Sequence, residues 1–558
     1  MKVSYRYIKH FLWSIAFIVM LSSCGVSKSI NDIPNVSNYE VEKLNRLTIN
    51  DSTFQAGENF LTKNKQGQWE LYVEGNAYQL GLNTGLLTQE LFKKQEGVFL
   101  SKVAEIVPSK TKQYLLRKLL AWYNRKMYLN IPEQYKAEIF GLSKYAGNEY
   151  DYIADDYLRV LYLHGAHDIG HALQDLMLVG CSSFAVWGDK TQDGDLIIGR
   201  NFDFYAGDAF AEDKIIAFVN PTDGHKFMSV TWGGMIGVVS GMNEHGLTVT
   251  INAGKSKIPL IAKTPISILT REILQYASTI EEAIAIAKQR QVFVSESIMV
   301  GSANDNKAVL IEVSPKNFGV YEMTNSTQLI CSNHFQSEAY KTDANNLKHI
   351  KESHSKYRFD RMEELLNASD KVTVKKAVDI LRNRKGLNED AIGYGNEKAL
   401  NQLLAHHGIV FKPKDRRVWV SSNPYQLGEF VAYDLNEIFN NPTFKSTLSH
   451  VELNIEEDPF LFTETYRNYE AYRILEREIE AAISNKEHFS LDKINELELK
   501  NPNYWKADYL IGKYYYQKKY YKAALIAFER TKSKEITTVP DQEAIASYIK
   551  KIKRKIKE

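Results

Sequence analysis

The sequence predicts an α+β protein in which antiparallel sheets are covered by helices. Two observations favour this fold class. Strand-like runs, several of them separated by Asn-Glu-His-Gly and Asp-Gly turns, fill residues 179–333, a pattern typical of hairpin-linked strands. Helical periodicity dominates residues 100–178 before this block and the residues from about 462 onward after it. Because a hairpin-linked sheet buries at least one face, the neighbouring helices are expected to cover it.

Length and charge limit the organisation and the partners. With 558 residues the chain exceeds one compact core, so two or three structural units are expected. The 70 Lys and Arg residues against 68 Asp and Glu leave a net charge of only +2, which argues against a nucleic-acid footprint over the whole chain. Basic residues crowd 550–557. Such a cluster is typical of a solvated helix end, with contact to anionic lipid as the alternative.

The first 23 residues have the features of an export signal. Basic residues precede the apolar stretch 11–20, which is too short to span a bilayer comfortably. The stretch ends in Leu-Ser-Ser-Cys24, which resembles the lipobox of bacterial lipoproteins. That resemblance implies that Cys24 is acylated and becomes the mature N-terminus, and Gly25 in the next position favours the outer membrane of the cell envelope. An ordinary secretory signal with an incidental cysteine is the alternative.

The elements can be predicted in chain order. Residues 25–60 are polar and irregular and are expected to form a tether. A strand, a Gly-marked turn and an amphipathic helix follow from Trp69. Helical patterns at 267–290 and 359–383 interrupt the strand-rich block. The expected strands are CSSFAVWG, DLIIGRNF, KIIAFVN, KFMSVTW, GVVSGMN, GLTVTINAG, SIMVGSA, KAVLIEVS, FGVYEM, GIVFKP and RRVWVSS.

The C-terminal helices carry part of a tetratricopeptide pattern. The residues that fit its spacing are Ile511, Gly512, Tyr515, Ala524 and Phe528, whereas Asp508 stands where the pattern has Trp. Only one such repeat is visible, and one repeat cannot bury its own face. This extension is therefore expected to pack on the main domain, either as a module that binds a protein partner or as a helical cap.

The candidate nucleophile is Cys181. Gly180 precedes it, so the thiol could attack an unshielded peptide carbonyl and transfer the chain onto sulfur. Cleavage there would give Cys181 a free α-amine of pKa about 7.7–8.0, which is suited to act as a general base. One residue would then supply both nucleophile and base. Arg200 can stabilise a thiolate, and Asp203, three residues later, can orient the amine.

These residues resemble the N-terminal-nucleophile hydrolases of the penicillin acyltransferase and choloylglycine hydrolase type. The motifs keep the family's order along residues 70–460. They are VEGNAYQLGLNTG in the upstream part, Cys181, GRNFD at 199–203, MNEHGL at 242–247 leading to Asn252, CSNHF with Asn333, and SKYRFDR with Arg358. Each motif alone is weakly specific, but the ordered set is strongly specific.

The resemblance implies an αββα sandwich that cuts itself between Gly180 and Cys181. It divides the chain after the signal peptide into a tether and helical small chain over 24–180 and a catalytic domain over 181–460. The helical extension over 461–558 departs from the family's pattern. The small chain is expected to stay associated with the large one. Asn252 and Asn333 are implied as oxyanion donors, and Arg358 completes the charge network. No metal or organic cofactor is implied.

Other interpretations of these residues stay open. A disulfide between Cys181 and Cys331 would silence the enzyme. His164, His167 and His171 have helical spacing and could bind zinc, although polar packing is the simpler interpretation. The predicted activity is hydrolysis of a linear amide in a small acyl amide. Transfer of the acyl group to an amine is the near alternative, and a non-catalytic tethered scaffold, with a partner bound at its C-terminal helices, is the distant one.

Overall fold

The computed structural model describes residues 25–165, 168, 180–205, 207–255, 261–441 and 447–557. The signal peptide, Cys24, His167 and His171 lie outside the described residues. Within them, no helix is both long and apolar enough to cross a membrane.

An 11-stranded sheet forms the larger of two sheets, with its strands in the order β1-β2-β3-β4-β7-β8-β9-β10-β11-β12-β13. Its neighbours pair antiparallel except β4 and β7, which run parallel. The strands are β1 Leu47–Asn50, β2 Thr53–Ala56, β3 Asn59–Lys63, β4 Trp69–Gly75, β7 Ile215–Pro221, β8 Phe227–Thr231, β9 Ser240–Asn243, β10 Leu247–Ala253, β11 Glu296–Ser302, β12 Lys307–Val313 and β13 Phe318–Tyr321.

The smaller sheet has six strands, all antiparallel, in the order β14-β5-β6-β15-β16-β17. It carries the Cys181 strand and the GRNFD strand side by side. The strands are β5 Ser182–Val186, β6 Ile197–Phe202, β14 Gln328–Cys331, β15 His407–Lys412, β16 Arg417–Ser421 and β17 Phe430–Asp434.

Helices cover the outer face of each sheet. On the large sheet lie the helices Ala77–Ile106, Glu133–Ser143 and Ile266–Tyr276, which share one apolar core with its strands. On the small sheet lie Ser355–Asn367 and Val374–Leu381. A third core, with Tyr72 and Phe218 from one sheet and Ile198 and Ile409 from the other, fills the space between the sheets. The predicted αββα order is thereby confirmed.

The remaining helices lie between the strands or follow them. Before β5 come Val26–Ile30, Lys110–Asn124 and Asp156–His164; later ones are Ile280–Gln289, Ala344–Glu352 and Leu435–Asn440. The C-terminal extension consists of Glu464–Asn485, Leu491–Lys500, Trp505–Gln517, Tyr521–Lys532 and Val539–Lys557.

The C-terminal extension has its own apolar core, which also takes in Leu403, Leu427 and Phe460 of the preceding block. The helical extension is therefore confirmed, and it packs on the main domain. Asp508, at the position where the repeat pattern has Trp, is buried and forms ion pairs with Arg530 at 2.9 Å and Lys534 at 2.6 Å. A charged network thus replaces the aromatic packing that the pattern would supply.

The prediction of an irregular tether over residues 25–60 is wrong for the second half of that range. Residues 47–63 form β1, β2 and β3, and β4 joins them to the central part of the large sheet. The polar residues Thr53 and Thr62 face each other with their hydroxyls 3.2 Å apart, so they fit a paired strand in spite of their low hydrophobicity. The segment before Cys181 is therefore built into the same sheet as the segment after it.

Candidate active site

Strand register places Cys181 beside the GRNFD strand. Ser182 pairs with Asn201 and Ser183 with Arg200, and the backbone N–H of Gly180 donates to the Asp203 carbonyl oxygen at 3.2 Å. Because paired residues in a strand ladder share a face, Ser183 and Arg200 both point toward the large sheet. Arg200 is fully buried there, and its Nη2 donates to the Cys181 Sγ at 3.8 Å.

The large sheet holds the Arg200 guanidinium in place. Nη2 also donates to the Ile251 carbonyl oxygen at 2.5 Å, and Nη1 donates to the Val239 carbonyl oxygen at 3.1 Å and to Ser240 Oγ. Ser240 Oγ in turn lies 2.9 Å from His407 Nε2. These hydrogen-bond partners are carbonyl and hydroxyl oxygens, while the carboxyl groups of Asp203 and Glu296 act on the guanidinium through their charge. Arg200 also acts on Cys181, where its charge opposes the rise in the thiol pKa.

Arg358 binds Cys181 from the opposite side. It belongs to the helix Ser355–Asn367 and is fully buried. Its Nη1 donates to the Cys181 carbonyl oxygen at 2.6 Å and to Ser182 Oγ at 2.9 Å, and its Nη2 donates to Asn333 Oδ1 at 2.6 Å. One planar fork therefore joins the predicted nucleophile to one of the predicted oxyanion residues.

The two predicted oxyanion asparagines connect the sheets. Asn252 Nδ2 donates to the carbonyl oxygens of Cys331 at 3.2 Å and Ser332 at 3.3 Å, and its Oδ1 accepts from Ser183 Oγ at 2.8 Å. Asn333 Nδ2 donates to the Ala253 carbonyl oxygen at 3.0 Å. The two side-chain amides thus hold β10 against the end of β14. Asn252 contacts Ser183, and Asn333 contacts Arg358, which binds the Cys181 carbonyl oxygen.

Burial sets the titration of the site. Desolvation raises the pKa of the Cys181 thiol to about 11, although Arg200 acts in the opposite direction. Burial likewise raises the pKa of Asp203 to about 7, against the opposing charges of Arg358 and Arg200. A thiol with this pKa is protonated at neutral pH, so it needs a base to become a nucleophile.

Within the described residues, Cys181 and Cys331 are free thiols in buried positions. The alternative of a disulfide between Cys181 and Cys331 is therefore not realised in this structure. Cys331 pairs with Ser183 across β14 and β5, so it lies on the same sheet face as Cys181. Its Sγ donates to the Ser332 carbonyl oxygen at 3.4 Å.

Of the three histidines with helical spacing, only His164 lies within the described residues, and it packs in the interior of the protein. His164 is fully buried, with Nδ1 2.8 Å from the Val160 carbonyl oxygen, and its Nε2 accepts from the Ile236 N–H at 3.0 Å. Both ring nitrogens thus have protein partners. Among the described residues, ligand atoms of His225, Glu244 and His245 lie within 4.8 Å of one another and could hold a metal ion. They belong to turns of the large sheet, apart from the Cys181 strand.

Several site residues were not predicted from the sequence. Ser183 and His354 contact Asn252 and Arg358, and Gln402 contacts Gly180. Only His354 carried a signal, because it is the N-cap residue of the helix that holds Arg358 and lies four residues before that arginine. Gln402 comes from a loop more than two hundred residues away in sequence, so no local spacing could have indicated it.

The four layers, with Cys181 directly before β5 of the small sheet, agree with the fold expected from the resemblance to N-terminal-nucleophile hydrolases. Residues 190–424 match the family model of acyl-coenzyme A:6-aminopenicillanic acid acyl-transferase. This match confirms the relationship to the penicillin acyltransferase type over that segment, which is less than half of the chain. It includes Arg200, Asp203, Asn252, Asn333 and Arg358, whereas Cys181 precedes it.

Two curated proteins match the chain at low sequence identity. A protein of Archaeoglobus fulgidus described as uncharacterized is 26% identical over 279 residues, covering 46% of this chain and 45% of its own. Protein dcd1B of Dictyostelium discoideum is 23% identical over 267 residues, covering 44% and 50%. The chain therefore spans about half the length of these curated relatives.

Among solved structures, the chain is similar to a Caenorhabditis elegans ortholog of N-acylethanolamine-hydrolyzing acid amidase, with 18% identity, a TM-score of 0.31 and coverage of 42% of this chain and 93% of that one. It is also similar to a mutant of the conjugated bile acid hydrolase from Clostridium perfringens, with 15% identity, a TM-score of 0.32 and coverage of 48% and 96%.

Proposed function

We propose that the chain is a self-processing cysteine hydrolase that cleaves the linear C–N bond of an acyl amide. The observation that carries the proposal is the convergence of Arg200, Asp203 and Arg358 on the Gly180–Cys181 peptide. A structural cysteine needs no such surroundings, because buried cysteines ordinarily pack as small apolar residues. The Arg200 guanidinium beside the sulfur instead opposes the effect of burial and stabilises the thiolate once a base has removed its proton.

Self-cleavage comes first in the proposed mechanism. The Cys181 sulfur adds to the Gly180 carbonyl carbon, the thiol proton passes to the Cys181 nitrogen, and the C–N bond breaks to leave a thioester and a free α-amine. Water then hydrolyses the thioester to a Gly180 carboxylate and the thiol. Cys181 is only 1% exposed in the uncut chain. An external amide could therefore reach the sulfur only after the two chain ends have separated.

Turnover would use the same sulfur with a new base. The α-amine of Cys181 takes the thiol proton and delivers it to the leaving nitrogen of the substrate. Asp203 orients this amine and Arg200 stabilises the thiolate. Asn252 and Asn333 are the proposed oxyanion donors, a contribution worth about 3–4 kcal/mol for one donor. Asn252 must exchange one of its backbone partners for the substrate oxygen to do so.

Acyl transfer is the second candidate, because the family model that matches residues 190–424 is named for an acyl-transferase. Both reactions share the acyl-enzyme, which water or an amine can resolve. We place the mature protein on the outer membrane through acylated Cys24, where coenzyme A thioesters are absent and water is abundant; this favours hydrolysis. The C-terminal helices remain a proposed surface for a protein partner.

A partition experiment separates the two reactions. The purified protein is given an activated acyl amide together with increasing amounts of a competing primary amine, and free acid and new amide are both quantified. A hydrolase releases free acid with little dependence on the amine. Diversion of nearly all acyl groups at low millimolar amine would instead assign transfer. Cys181→Ala protein is the control for uncatalysed aminolysis, and activity in that variant would exclude Cys181 as the nucleophile.

A further inference from the structure

The amide of Gln402 lies on the carbonyl of the peptide bond that we propose is cut. Its Nε2 donates to the Gly180 carbonyl oxygen at 2.9 Å and to Asp203 Oδ2 at 3.5 Å. Both neighbours are acceptors, which fixes the orientation of the side-chain amide, because its oxygen in that place would face two oxygens. Gln402 is buried, so the hydrogen bond acts in a low-dielectric environment.

The loop that carries Gln402 is fixed at both ends by the GRNFD strand. Asn201 Nδ2 donates to the carbonyl oxygens of Leu381 and Leu400, each at 2.9 Å. After Gln402, the His406 N–H donates to the Phe202 carbonyl oxygen at 2.9 Å. This gives Asn201 a role that the nucleophile network does not supply, since its side chain holds the loop rather than the sulfur.

The absence of a Cβ at Gly180 leaves room for the side-chain amide of Gln402. A Cβ built there would lie 2.1 Å from Gln402 Nε2 and 2.6 Å from its Oε1. Gly180 has no positive φ, so backbone conformation does not explain the glycine. The requirement is steric, because only glycine lets the amide approach its carbonyl so closely.

We propose that Gln402 is the oxyanion donor for self-cleavage, separate from the asparagine pair proposed for external substrates. When the Cys181 sulfur adds to the Gly180 carbon, the carbonyl oxygen becomes an oxyanion and the Gln402 N–H is already directed at it. The tetrahedral adduct then loses the Cys181 nitrogen as the free amine. This inference rests on the proposed function, because it assumes that the Gly180–Cys181 bond is cut.

Cleavage kinetics test the proposal on the full chain. Pulse-labelled protein from cell-free translation is followed by gel for the appearance of the large fragment. Gln402→Met, which preserves volume and removes the donor, should slow cleavage about 100-fold, as loss of one oxyanion donor does. Gln517→Met is the matched control. It also loses an amide bond to a backbone carbonyl, Ile483 at 2.7 Å, but in the C-terminal helices, and it should cut at the wild-type rate.

Two further comparisons distinguish chemistry from misfolding. Gln402→Glu should be slow at pH 8 and recover relative to wild type as the pH falls, because only the protonated acid can donate. Gly180→Ala should be slow alone but should add little in a Gln402→Ala background, where the clash is absent. Every uncut variant should unfold at the temperature of the Cys181→Ala chain, which is uncut for a different reason.

The outcomes separate this inference from the proposed function. If the wild-type chain is never cut at Cys181, the proposed function fails and this inference fails with it. If the wild-type chain is cut while Gln402→Met is cut equally fast, only the role of Gln402 is wrong. Equal slowing of Gly180→Ala with and without Gln402 would also contradict it.

Discussion

Arg358 Nη1 lies 2.6 Å from the carbonyl oxygen of Cys181, and the same guanidinium reaches Asn333 Oδ1 at 2.6 Å. A helix on the outer face of the small sheet is thereby joined to the residue directly before β5. Replacing Arg358 with Lys should lower turnover at least 100-fold, because a single ammonium cannot span both acceptors. Steady-state kinetics checks this, and turnover of Arg358→Lys near the wild-type value would contradict it.

Asn252 joins the two sheets beside Ser183 and is a proposed oxyanion donor, so its loss should affect stability and rate together. Asn252→Ala removes the amide donor from the carbonyl oxygens of Cys331 and Ser332 and the acceptor of the Ser183 hydroxyl, although Ser332 keeps Cys331 Sγ as a donor. We expect a cost of about 1–3 kcal/mol for each group left unsatisfied, and about a 100–1000-fold fall in kcat. Chemical denaturation and kinetics measure the two effects. A stable variant with unchanged kcat would exclude the oxyanion role.

Asp203 should make the folded chain less stable as pH rises through the acid range. Its pKa is raised to about 7 by burial, whereas an unfolded Asp titrates near 3.9. The folded state therefore binds more protons between these values, and its stability falls as pH rises from about 4 to 7.

Asp203→Asn, which keeps the shape without the charge, isolates this contribution. Relative to wild type, the variant should gain stability as pH rises over that window while losing activity. Tm measured for both proteins from pH 4 to 8 gives the comparison, ideally in a Cys181→Ala background so that both chains are uncut. A difference in Tm that does not change with pH would contradict the assigned pKa.

The sequence predicted the layers of the fold and the residues around Cys181 more completely than the strands at the edges of the two sheets. β4 through β13, β15 and β16 lie where apolar runs and turn residues indicated, because strands buried on one or both faces carry dense apolar patterns. β1–β3 are rich in Thr, Asn and Gln and were taken for a tether. β14 has four residues and pairs with β5, which is distant in sequence, so no local pattern indicated it. β17 was also not predicted, although it pairs with β16 directly before it.

The same distinction applies to the site. Cys181, Arg200 and Asp203 were predicted because one hairpin carries all three, and strand register then brings them together. Gln402 and Ser183 act through contacts between segments 222 and 69 residues apart, which only tertiary folding creates. Motif order placed Asn252, Asn333 and Arg358 at the site, but not the backbone carbonyls that they bind.

The lipid anchor is a separate prediction from the residues before the described structure. If Cys24 is acylated, the mature protein partitions with membranes, and Cys24→Ala should release it or block processing of the signal. Fractionation of cells with mass analysis of the N-terminal peptide tests this. Normal processing of Cys24→Ala with full retention in the membrane would contradict the lipobox interpretation.

Intact-mass analysis and N-terminal sequencing of the purified protein test the central claim most directly. We predict two associated chains, the larger beginning at Cys181 with a free α-amine and the smaller ending at Gly180, and a single uncut chain for Cys181→Ala. Because β4 of the small chain pairs with β7 of the large one, the two should copurify until denatured. A wild-type protein that remains uncut, or a large chain that begins at any other residue, would contradict the account.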